Sequence, residues 1–391
     1  MTQVVLGIER LGADARSAVR GRRIGLLAHP ASTTAALEHA FSVLQRAGAR
    51  VEALFGPEHG FGGQAQDMEA VSGQSPMAGG PRIFSLYGKD EASLTPPPES
   101  LDRLDALVVD LFDVGSRYYT FVWTAVLCLR ACHRAGVELI LADRPNPLGG
   151  LAVEGAPQGP GYLSFVGLWP VSNRHGLTVG EIVSLVAREE RLEAGLRVVA
   201  MQGWRRSMQF SDTGLPWVMP SPNMPTCDTA LVYPGLCLIE STWASEGRGT
   251  TRPFELVGAP GVDGARLAAR LEAAGLPGVR FRPVAFRPGF QKHQGVDCGG
   301  VQLHVIDRER FLPYRTGLAM LLALKQECGE RFAWRERPYE FVTDRPAIDL
   351  LTGGEAVRSG VEAGASLEEI AATWAAGERA FREYRQRFFL Y

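Results

Sequence analysis

The chain carries a carboxylate and an imidazole side by side in a turn, at residues 56–61 (Gly-Pro-Glu-His-Gly-Phe), directly after the apolar run 51–55. A carboxyl group held this way can give or take a proton, and the neighbouring imidazole can tune that transfer. Gly-Pro and His-Gly are also ordinary turn dipeptides, in which an acidic side chain is usually solvated. The motif makes Glu58 and His59 candidates for catalysis without fixing a reaction.

A second group of functional side chains accompanies the apolar run 106–112. It comprises two carboxylates, a guanidinium and two phenols, supplied by Asp110, Asp113, Arg117, Tyr118 and Tyr119. In a strand, Asp110 and Asp113 would point to opposite faces, so one pocket would take only one of them unless the chain turns between them.

Later polar turns add further candidates for ligand binding: Asp143, Arg144, Asn146, His175, Asn223, Glu246 and Arg248. Two neighbouring pairs have structural alternatives. Asp143 could simply pair with Arg144 and stiffen a proline-rich loop, and Glu246 could form a local ion pair with Arg248. The spacing of Thr178 and Glu181 predicts a helix-capping box.

Composition limits the class of protein. With 391 residues and 46% hydrophobic side chains, the chain can build two domains, and a net charge of -2 argues against nucleic acid or an anionic membrane as partner. Cys128 and Cys132 lie four apart in an apolar stretch and are expected to pack as small hydrophobes. No transmembrane run or signal peptide is recognisable. The sequence as it stands predicts a cytoplasmic protein, or an extracytoplasmic one if a native leader is missing.

Strand-like and helix-like segments alternate along the first part of the chain. Strands are predicted at 23–28, 51–55, 106–112, 137–142 and 196–201, and helices at 34–47, 119–135 and 178–193. This alternation predicts a Rossmann-like, doubly wound α/β domain with a mostly parallel sheet. Ligands in such sheets bind outside the carboxyl ends of the strands.

The last third has a different pattern. Helices are predicted at 263–275, 312–327 and 367–387, and strands at 279–286 and 299–306. This predicts a smaller α+β domain, with the chain divided into residues 1–258 and 259–391.

The common catalytic signatures are missing from the sequence. There is no Gly-x-Gly-x-x-Gly after the first strand, no phosphate-binding loop, no Gly-x-Ser-x-Gly, no His-Glu-x-x-His and no Cys-x-x-Cys. The remaining carboxylates, amides, aromatic rings and arginines suit a polyhydroxylated ligand that can carry a carboxylate.

Taken together, seven motifs resemble those of the exo-β-N-acetylmuramidase family, peptidoglycan hexosaminidases long catalogued as a domain of unknown function. The resemblance extends from about residue 23 to the end of the chain. The motifs are Gly-Pro-Glu-His-Gly-Phe (56–61), Ser-Leu-Tyr-Gly (85–88), Asp-Val-Gly-Ser-Arg-Tyr-Tyr-Thr (113–120), Asp-Arg-Pro-Asn-Pro-Leu-Gly-Gly (143–150), Arg-His-Gly-Leu-Thr-Val-Gly-Glu (174–181), Ser-Pro-Asn-Met-Pro (221–225) and Ser-Glu-Gly-Arg-Gly-Thr (245–250).

The resemblance implies a glycosidase that releases N-acetylmuramic acid from the non-reducing end of peptidoglycan fragments. Its site would lie in the cleft between a Rossmann-like domain and a smaller C-terminal domain that closes it. It also implies that Glu58 is the acid that protonates the departing oxygen, with His59 beside it. Asp113 or Asp110 would supply the opposing negative charge or nucleophile.

The resemblance further implies that the lactyl carboxylate of the substrate needs an arginine partner, for which Arg117, Arg144 and Arg248 are candidates. Cofactors and metals are not expected. Retention, inversion and attack by the substrate's own acetamido group all stay open. The sequence departs from the family at His29, where an asparagine is usual, and at Phe112, where a glutamine is usual. Subsite preference would change if these side chains touch the sugar.

Two other classes of function are compatible with the residues. One is a noncatalytic protein that binds amino sugars or muropeptides. The other is a metal-dependent hydrolase with Glu58, His59, Asp110 and Asp113 as ligands, although no standard ligand spacing is present.

Overall fold

A six-stranded parallel sheet forms the larger part of the computed structural model, which describes residues 3–66, 68–71 and 80–391. Its strands are β1 Arg23–Leu27, β2 Arg50–Gly56, β3 Arg82–Ser85, β4 Ala106–Val109, β5 Glu138–Ala142 and β6 Leu196–Val199. They are arranged in the order β3-β2-β1-β4-β5-β6, and every neighbouring pair is parallel. The order reverses between β1 and β4, as in a doubly wound Rossmann-like domain, and this confirms the predicted fold class.

Helices cover the sheet and continue into the C-terminal part. They are α1 Gly7–Gly12, α2 Ala40–Arg46, α3 Pro98–Leu101, α4 Phe121–Ala135, α5 Val179–Glu189, α6 Cys227–Leu236, α7 Gly264–Ala273, α8 Pro313–Cys328, α9 Ala347–Thr352, α10 Ala356–Ala363, α11 Leu367–Ala372 and α12 Ala375–Tyr384. In the part of the chain that the structure describes, no helix has the length and apolar character needed to cross a bilayer.

The structure confirms the predicted packing of two cysteines and the predicted capping box. All four residues of β4 are buried, which explains its unbroken apolar sequence, because helices cover both faces of a parallel sheet. Cys128 and Cys132 on α4 are free thiols in the core. The capping box at the start of α5 is formed as predicted, with Thr178 accepting from the Glu181 amide and Glu181 accepting from the Thr178 amide.

The C-terminal part is a smaller α+β unit, as predicted. Its antiparallel sheet has the order β7-β9-β8, from the strands β7 Leu256–Ala259, β8 Val279–Phe286 and β9 Cys298–Val305. The proposed division after residue 258 falls inside β7 and stays a prediction.

Several predicted segments have the wrong extent, among them the helix predicted at 178–193, which ends at Glu189. The helix predicted at 367–387 is broken into α11 and α12 at Thr373–Trp374, where the indole of Trp374 packs against Tyr314, and it ends in a 3-10 turn. The helix predicted at 34–47 begins only at Ala40, because the preceding residues form a turn in which Thr33 pairs with His39. The strand predicted at 106–112 ends at Val109.

Candidate active site

A cavity lies at the carboxyl ends of the central strands, between the large sheet and segments of the C-terminal part. Among the residues predicted from the sequence, its walls include Glu58, His59, Tyr118, Tyr119, Asn223 and Arg248. The loop after β2 supplies the first two, the loop after β4 supplies the tyrosines, and the segments 221–225 and 245–250 supply the rest. The fold thus brings four of the seven motifs to one place.

Glu58 projects from the turn that follows β2. Its side chain is nearly buried, and the Thr120 hydroxyl donates a hydrogen bond of 2.5 Å to its Oε2 atom. Thr120 is the N-cap residue of α4, so Glu58 lies beside the positive end of a 15-residue helix. The turn is tight: a Cβ atom at Gly56 would lie 2.2 Å from the Phe61 amide nitrogen, so only glycine fits there.

His59 has a backbone φ of 70°, a conformation that residues other than glycine rarely adopt. Its Nδ1 atom lies 2.8 Å from the carbonyl oxygen of Ala65. Because a carbonyl oxygen can only accept, Nδ1 carries the proton in this contact. Strained backbone of this kind is typical of functional turns.

Asp113 is the second predicted catalytic carboxyl group. Its Oδ1 atom accepts from the Gly115 amide at 2.7 Å, and its buried Oδ2 atom has no hydrogen-bond partner in the described part of the chain. Burial raises the pKa of Asp113 to about 7, against the opposing effect of hydrogen bonds from backbone amides. A buried carboxyl group with an unsatisfied oxygen requires an explanation, and function is one.

Tyr119 connects the two carboxyl groups electrostatically. Burial raises the pKa of its phenol well above the usual value, and the charges of Asp113 and Glu58 raise it further. The charges of both carboxyl groups thus act on one side chain of the cavity wall, although Asp113 itself does not lie on that wall.

Asp110 and Arg144 lie elsewhere. Both oxygens of the fully buried Asp110 accept from Arg144, at 2.5 and 2.8 Å, and Arg144 also donates to the Thr33 carbonyl. Neither residue lies on the cavity wall. The ion pair fixes the loops after β1, β4 and β5 to one another, and it leaves Asp110 no oxygen for a substrate.

Arg117 is also used by the fold. Its guanidinium is buried and donates to the carbonyls of Ala156, Val171 and Leu351, at 2.6 to 2.9 Å. Burial lowers its pKa to about 10. Of the three arginines considered for the lactyl group, the structure brings only Arg248 to the cavity.

Asp143, Asn146 and His175 are buried, and each hydrogen-bonds to the segment 177–180 at the start of α5. Asp143 accepts from the Thr178 hydroxyl and the Gly180 amide and from the phenol of the last residue, Tyr391. Asp143 does not pair with Arg144, contrary to the structural alternative considered above. These contacts anchor α5 and the C-terminus, and the structure does not bring the three side chains to the cavity.

Burial shifts the pKa values of two of these side chains, Asp143 and His175. It raises the pKa of Asp143 to about 6 and lowers that of His175 to about 3, in the second case with help from neighbouring arginines. His175 is therefore a neutral imidazole at physiological pH, and its Nδ1 atom accepts from the Leu177 amide.

The two residues that depart from the family pattern touch each other. The Phe112 amide donates to Nε2 of His29 at 2.9 Å, and both side chains are buried away from the cavity wall. Burial, followed by the nearby Arg144 charge, holds the pKa of His29 well below its ordinary value. The departures therefore alter the support of the β4 loop without changing the cavity surface.

The segment 240–248, which precedes β7, contributes Glu240 and Arg248 to the wall, and Glu246 lies behind them in the neighbouring depression. Arg248 pairs with Glu240 at 2.7 Å and more loosely with Glu246 at 3.5 Å, so the predicted local ion pair is confirmed. The Tyr339 phenol donates to the other oxygen of Glu240 at 2.8 Å. Burial pushes the pKa of Glu240 up, but the Arg248 charge and these hydrogen bonds outweigh it and leave the pKa below its usual value.

Sequence reasoning missed Glu240, Tyr339 and Glu340 as wall residues. Glu240 begins the polar run that contains Arg248, which was a usable signal. Tyr339 and Glu340 come from a short turn, closed by the pair Tyr339 and Val342, whose central residues Glu340 and Phe341 have φ values of 45° and 67°. Turns with two positive φ values usually contain glycine, asparagine or aspartate. Because neither residue is one of these, the sequence gave no sign of this turn.

This turn closes the cavity from one side. Glu340 accepts from the Tyr87 phenol at 3.0 Å, and Phe341 packs against Tyr87 and Phe165. The cavity is partly open but narrow, with a volume of about 30 Å³. A sugar ring would enter only if part of this wall shifts.

No group of three or more potential metal ligands occurs in the described ranges 3–66, 68–71 and 80–391. Of the residues considered as metal ligands, Glu58 and His59 lie on the cavity wall, whereas Asp110 forms an ion pair with Arg144.

Comparisons with known proteins agree with these features. The profile of the N-terminal part of the exo-beta-N-acetylmuramidase NamZ matches residues 24–228, and that of its C-terminal part matches residues 231–391. A curated relative, the peptidoglycan beta-N-acetylmuramidase NamZ of Bacillus subtilis (strain 168), is 40% identical over 390 residues, which cover 100% of this chain and 92% of that protein.

Two solved structures have the same fold over the whole chain. Both are DUF1343 family proteins from Bacteroides fragilis. One is 29% identical with a TM-score of 0.88 and 100% coverage of both chains, and the other is 28% identical with a TM-score of 0.77, covering 100% of this chain and 99% of that one.

Proposed function

The chain belongs to the family of exo-β-N-acetylmuramidases, and we propose that it releases N-acetylmuramic acid from peptidoglycan fragments with Glu58 as the acid. The protein is thus a glycosidase. The position of Glu58 is the main reason for placing the reaction in this cavity. Its side chain lies nearly buried on the cavity wall, at the carboxyl edge of the sheet. Matched family profiles extend over both parts of the chain that form this cavity.

Glu58 suits the role of the acid because, among the described residues, its hydrogen bonds leave one carboxyl oxygen for the substrate. Oε2 is held by Thr120, and the side chain keeps its place on the wall through the tight turn at Gly56. A fixed carboxyl group can transfer its proton to the glycosidic oxygen without first being reoriented. His59 stiffens the same turn through its bond to Ala65.

Asp113 is the proposed second carboxyl group. Glycosidases of this kind need negative charge near the oxocarbenium-like transition state. Asp113 is favoured over Asp110 because its Oδ2 atom has no hydrogen-bond partner among the described residues, whereas both oxygens of Asp110 bind Arg144. Only the ionised form of Asp113 supplies the negative charge that the transition state needs. This form becomes dominant as the pH rises through about 7.

Arg248 is the proposed partner of the lactyl carboxylate. It lies on the cavity wall, and Glu240 and Glu246 hold its guanidinium in place. A guanidinium can bind a further carboxylate with two parallel hydrogen bonds. This contact would distinguish N-acetylmuramic acid from N-acetylglucosamine, which lacks the lactyl group.

We expect Arg248→Gln to lower kcat/KM for para-nitrophenyl β-N-acetylmuramide by about 10- to 100-fold, since a hydrogen bond to a charged group contributes about 1.5–3 kcal/mol. Activity on the N-acetylglucosamine analogue should change much less. The control is Arg252→Gln, which removes an exposed arginine of the same segment. Equal losses on both substrates would assign Arg248 a structural role only.

The reaction itself is tested with the tetrasaccharide N-acetylmuramyl-N-acetylglucosaminyl-N-acetylmuramyl-N-acetylglucosamine. Mass spectrometry should detect one free N-acetylmuramic acid and the remaining trisaccharide, with and without EDTA. Internal cleavage would contradict an exo mode of action. Saturable binding without any product would identify a sugar-binding protein, and loss of activity in EDTA would favour a metal-dependent hydrolase.

A further inference from the structure

An open depression lies next to the Glu58 cavity, and the reaction proposed above does not use it. We call it the outer groove and define it by Met68, Trp243, Lys292, Trp334, Arg335 and Arg337. Its volume is about 780 Å³, within the range typical of small-molecule sites. Glu240 belongs to the walls of both the cavity and the groove, so the two are immediate neighbours.

Hydrogen bonds between three distant segments hold the groove in shape. The ammonium group of Lys292 lies 2.9 to 3.3 Å from the carbonyls of Ile239, Glu240 and Ala244 and from the carboxylate of Glu246, which share its three N–H donors. The residues on either side of Lys292 have φ values of 60° and 58°, and the imidazole of the second one bonds to the Trp243 carbonyl. The Trp243 amide in turn donates to the Ala333 carbonyl. The groove is therefore preformed.

Two tryptophans give the groove apolar surface. Trp243 and Trp334 are both half-buried, and the ring of Phe332 packs against each of them, with centroid distances of 6.2 and 5.1 Å. Large, rigid rings with a partly exposed surface suit the apolar face of a sugar ring.

The rim of the groove carries unpaired positive charge. Within the described residues, neither Arg335 nor Arg337 forms an ion pair, whereas the nearby Lys292 is paired with Glu246. Arg335 lies over the Tyr339 ring, and its Nε atom is buried without a hydrogen-bond partner among those residues. Arg337 is exposed. A guanidinium group without an ion pair can bind a carboxylate of a ligand, and Arg337 is the better placed of the two because Arg335 already donates to the Pro338 carbonyl.

We propose that the outer groove is the subsite for the departing saccharide. The first sugar beyond the cleaved bond packs on Trp243, and the lactyl carboxylate of the following muramyl sugar pairs with Arg337. This inference rests on the proposed function, because a peptidoglycan strand alternates neutral and lactyl-bearing sugars. The cavity and the groove then bind successive sugars of one strand. The lactyl carboxylate of every second sugar pairs with an arginine, Arg248 in the cavity and Arg337 in the groove.

The test compares kcat/KM for the tetrasaccharide above with that for the disaccharide N-acetylmuramyl-N-acetylglucosamine, which lacks a second muramyl sugar. For Arg337→Gln, we expect the ratio of tetrasaccharide to disaccharide to fall about fivefold, as for loss of an exposed charge pair. The control Arg134→Gln, an exposed arginine at the far end of α4, should leave the ratio unchanged. For Trp243→Ala, the ratio of disaccharide to para-nitrophenyl β-N-acetylmuramide should fall about tenfold.

The outcomes separate this inference from the proposed function. If the wild-type protein cleaves both saccharides and Arg337→Gln has the same ratio as Arg134→Gln, the groove does not bind the second muramyl sugar. If the wild-type protein cleaves neither, the proposed function itself fails. Because Arg337 is exposed, its replacement should not disturb folding. Arg337→Gln therefore tests binding of the second muramyl sugar even if Trp243→Ala does not fold.

Discussion

Glu58→Gln is expected to lower kcat/KM for the disaccharide N-acetylmuramyl-N-acetylglucosamine by about a thousandfold, because general acid catalysis typically contributes 10²- to 10⁴-fold. The sugar oxygen is a poor leaving group and needs the proton. A dinitrophenyl β-N-acetylmuramide has a leaving group that departs as a stable anion, so its hydrolysis should fall far less. Steady-state kinetics on the two substrates measures this difference.

The matched control is Glu52→Gln, which removes an exposed carboxyl group from the same strand, β2. Both variants should keep the circular dichroism spectrum and unfolding midpoint of the wild type. Disaccharide activity within tenfold of the wild type in Glu58→Gln would remove Glu58 as the acid. Equal losses on both substrates would show that Glu58 acts in binding rather than in proton transfer.

Asp113→Asn is expected to lower kcat/KM by about a hundredfold, as for loss of a charge that acts in the transition state, and at the same time to stabilise the folded protein at pH 8. The folded-state pKa of Asp113 is raised to about 7 from the ordinary 3.8. Between these values, the folded state binds a proton that the unfolded state has lost, so wild-type stability falls as the pH rises. Asparagine does not titrate, so the stability of Asp113→Asn does not fall with pH for this reason.

The pKa shift of about three units sets a ceiling of about 4 kcal/mol for this gain. A net gain of about 1–3 kcal/mol is expected, because the buried amide group of asparagine needs a partner of its own. Urea unfolding at pH 4.5 and pH 8 measures the difference, with the exposed Asp102→Asn as control. A stability difference between Asp113→Asn and wild type that does not change with pH would contradict the raised pKa.

The sheet was predictable because the central strands β1, β4 and β5 are buried on both faces and are therefore almost continuously apolar. Strand β3 was missed for the opposite reason, since Arg82–Ser85 is a short edge strand without a fully buried residue. The break between α11 and α12 was missed because the amphipathic pattern continues through it. At the break, Trp374 packs against Tyr314, which is far away in the sequence.

For the site, sequence motifs identified Glu58, Tyr119 and Arg248 on the cavity wall. They could not separate these residues from Asp143 and His175, because polar residues at strand ends serve the fold as readily as a ligand. Asp143 holds the start of α5 and the C-terminal tyrosine.

The turn at residues 339–342 was unpredictable from the sequence for a third reason. It reaches the cavity only through the packing of the C-terminal part against the sheet, where Tyr339 bonds to Glu240 and Phe341 packs on Tyr87. Neither contact is marked by local sequence.

The most direct test of the central claim is the release of nitrophenol from para-nitrophenyl β-N-acetylmuramide compared with the N-acetylglucosamine analogue, using the purified wild-type protein. We predict rapid release from the first compound and little from the second, because only the first carries the carboxylate that Arg248 is placed to bind. Preference for the N-acetylglucosamine compound, or release from neither, would contradict the assignment of this cavity to N-acetylmuramic acid.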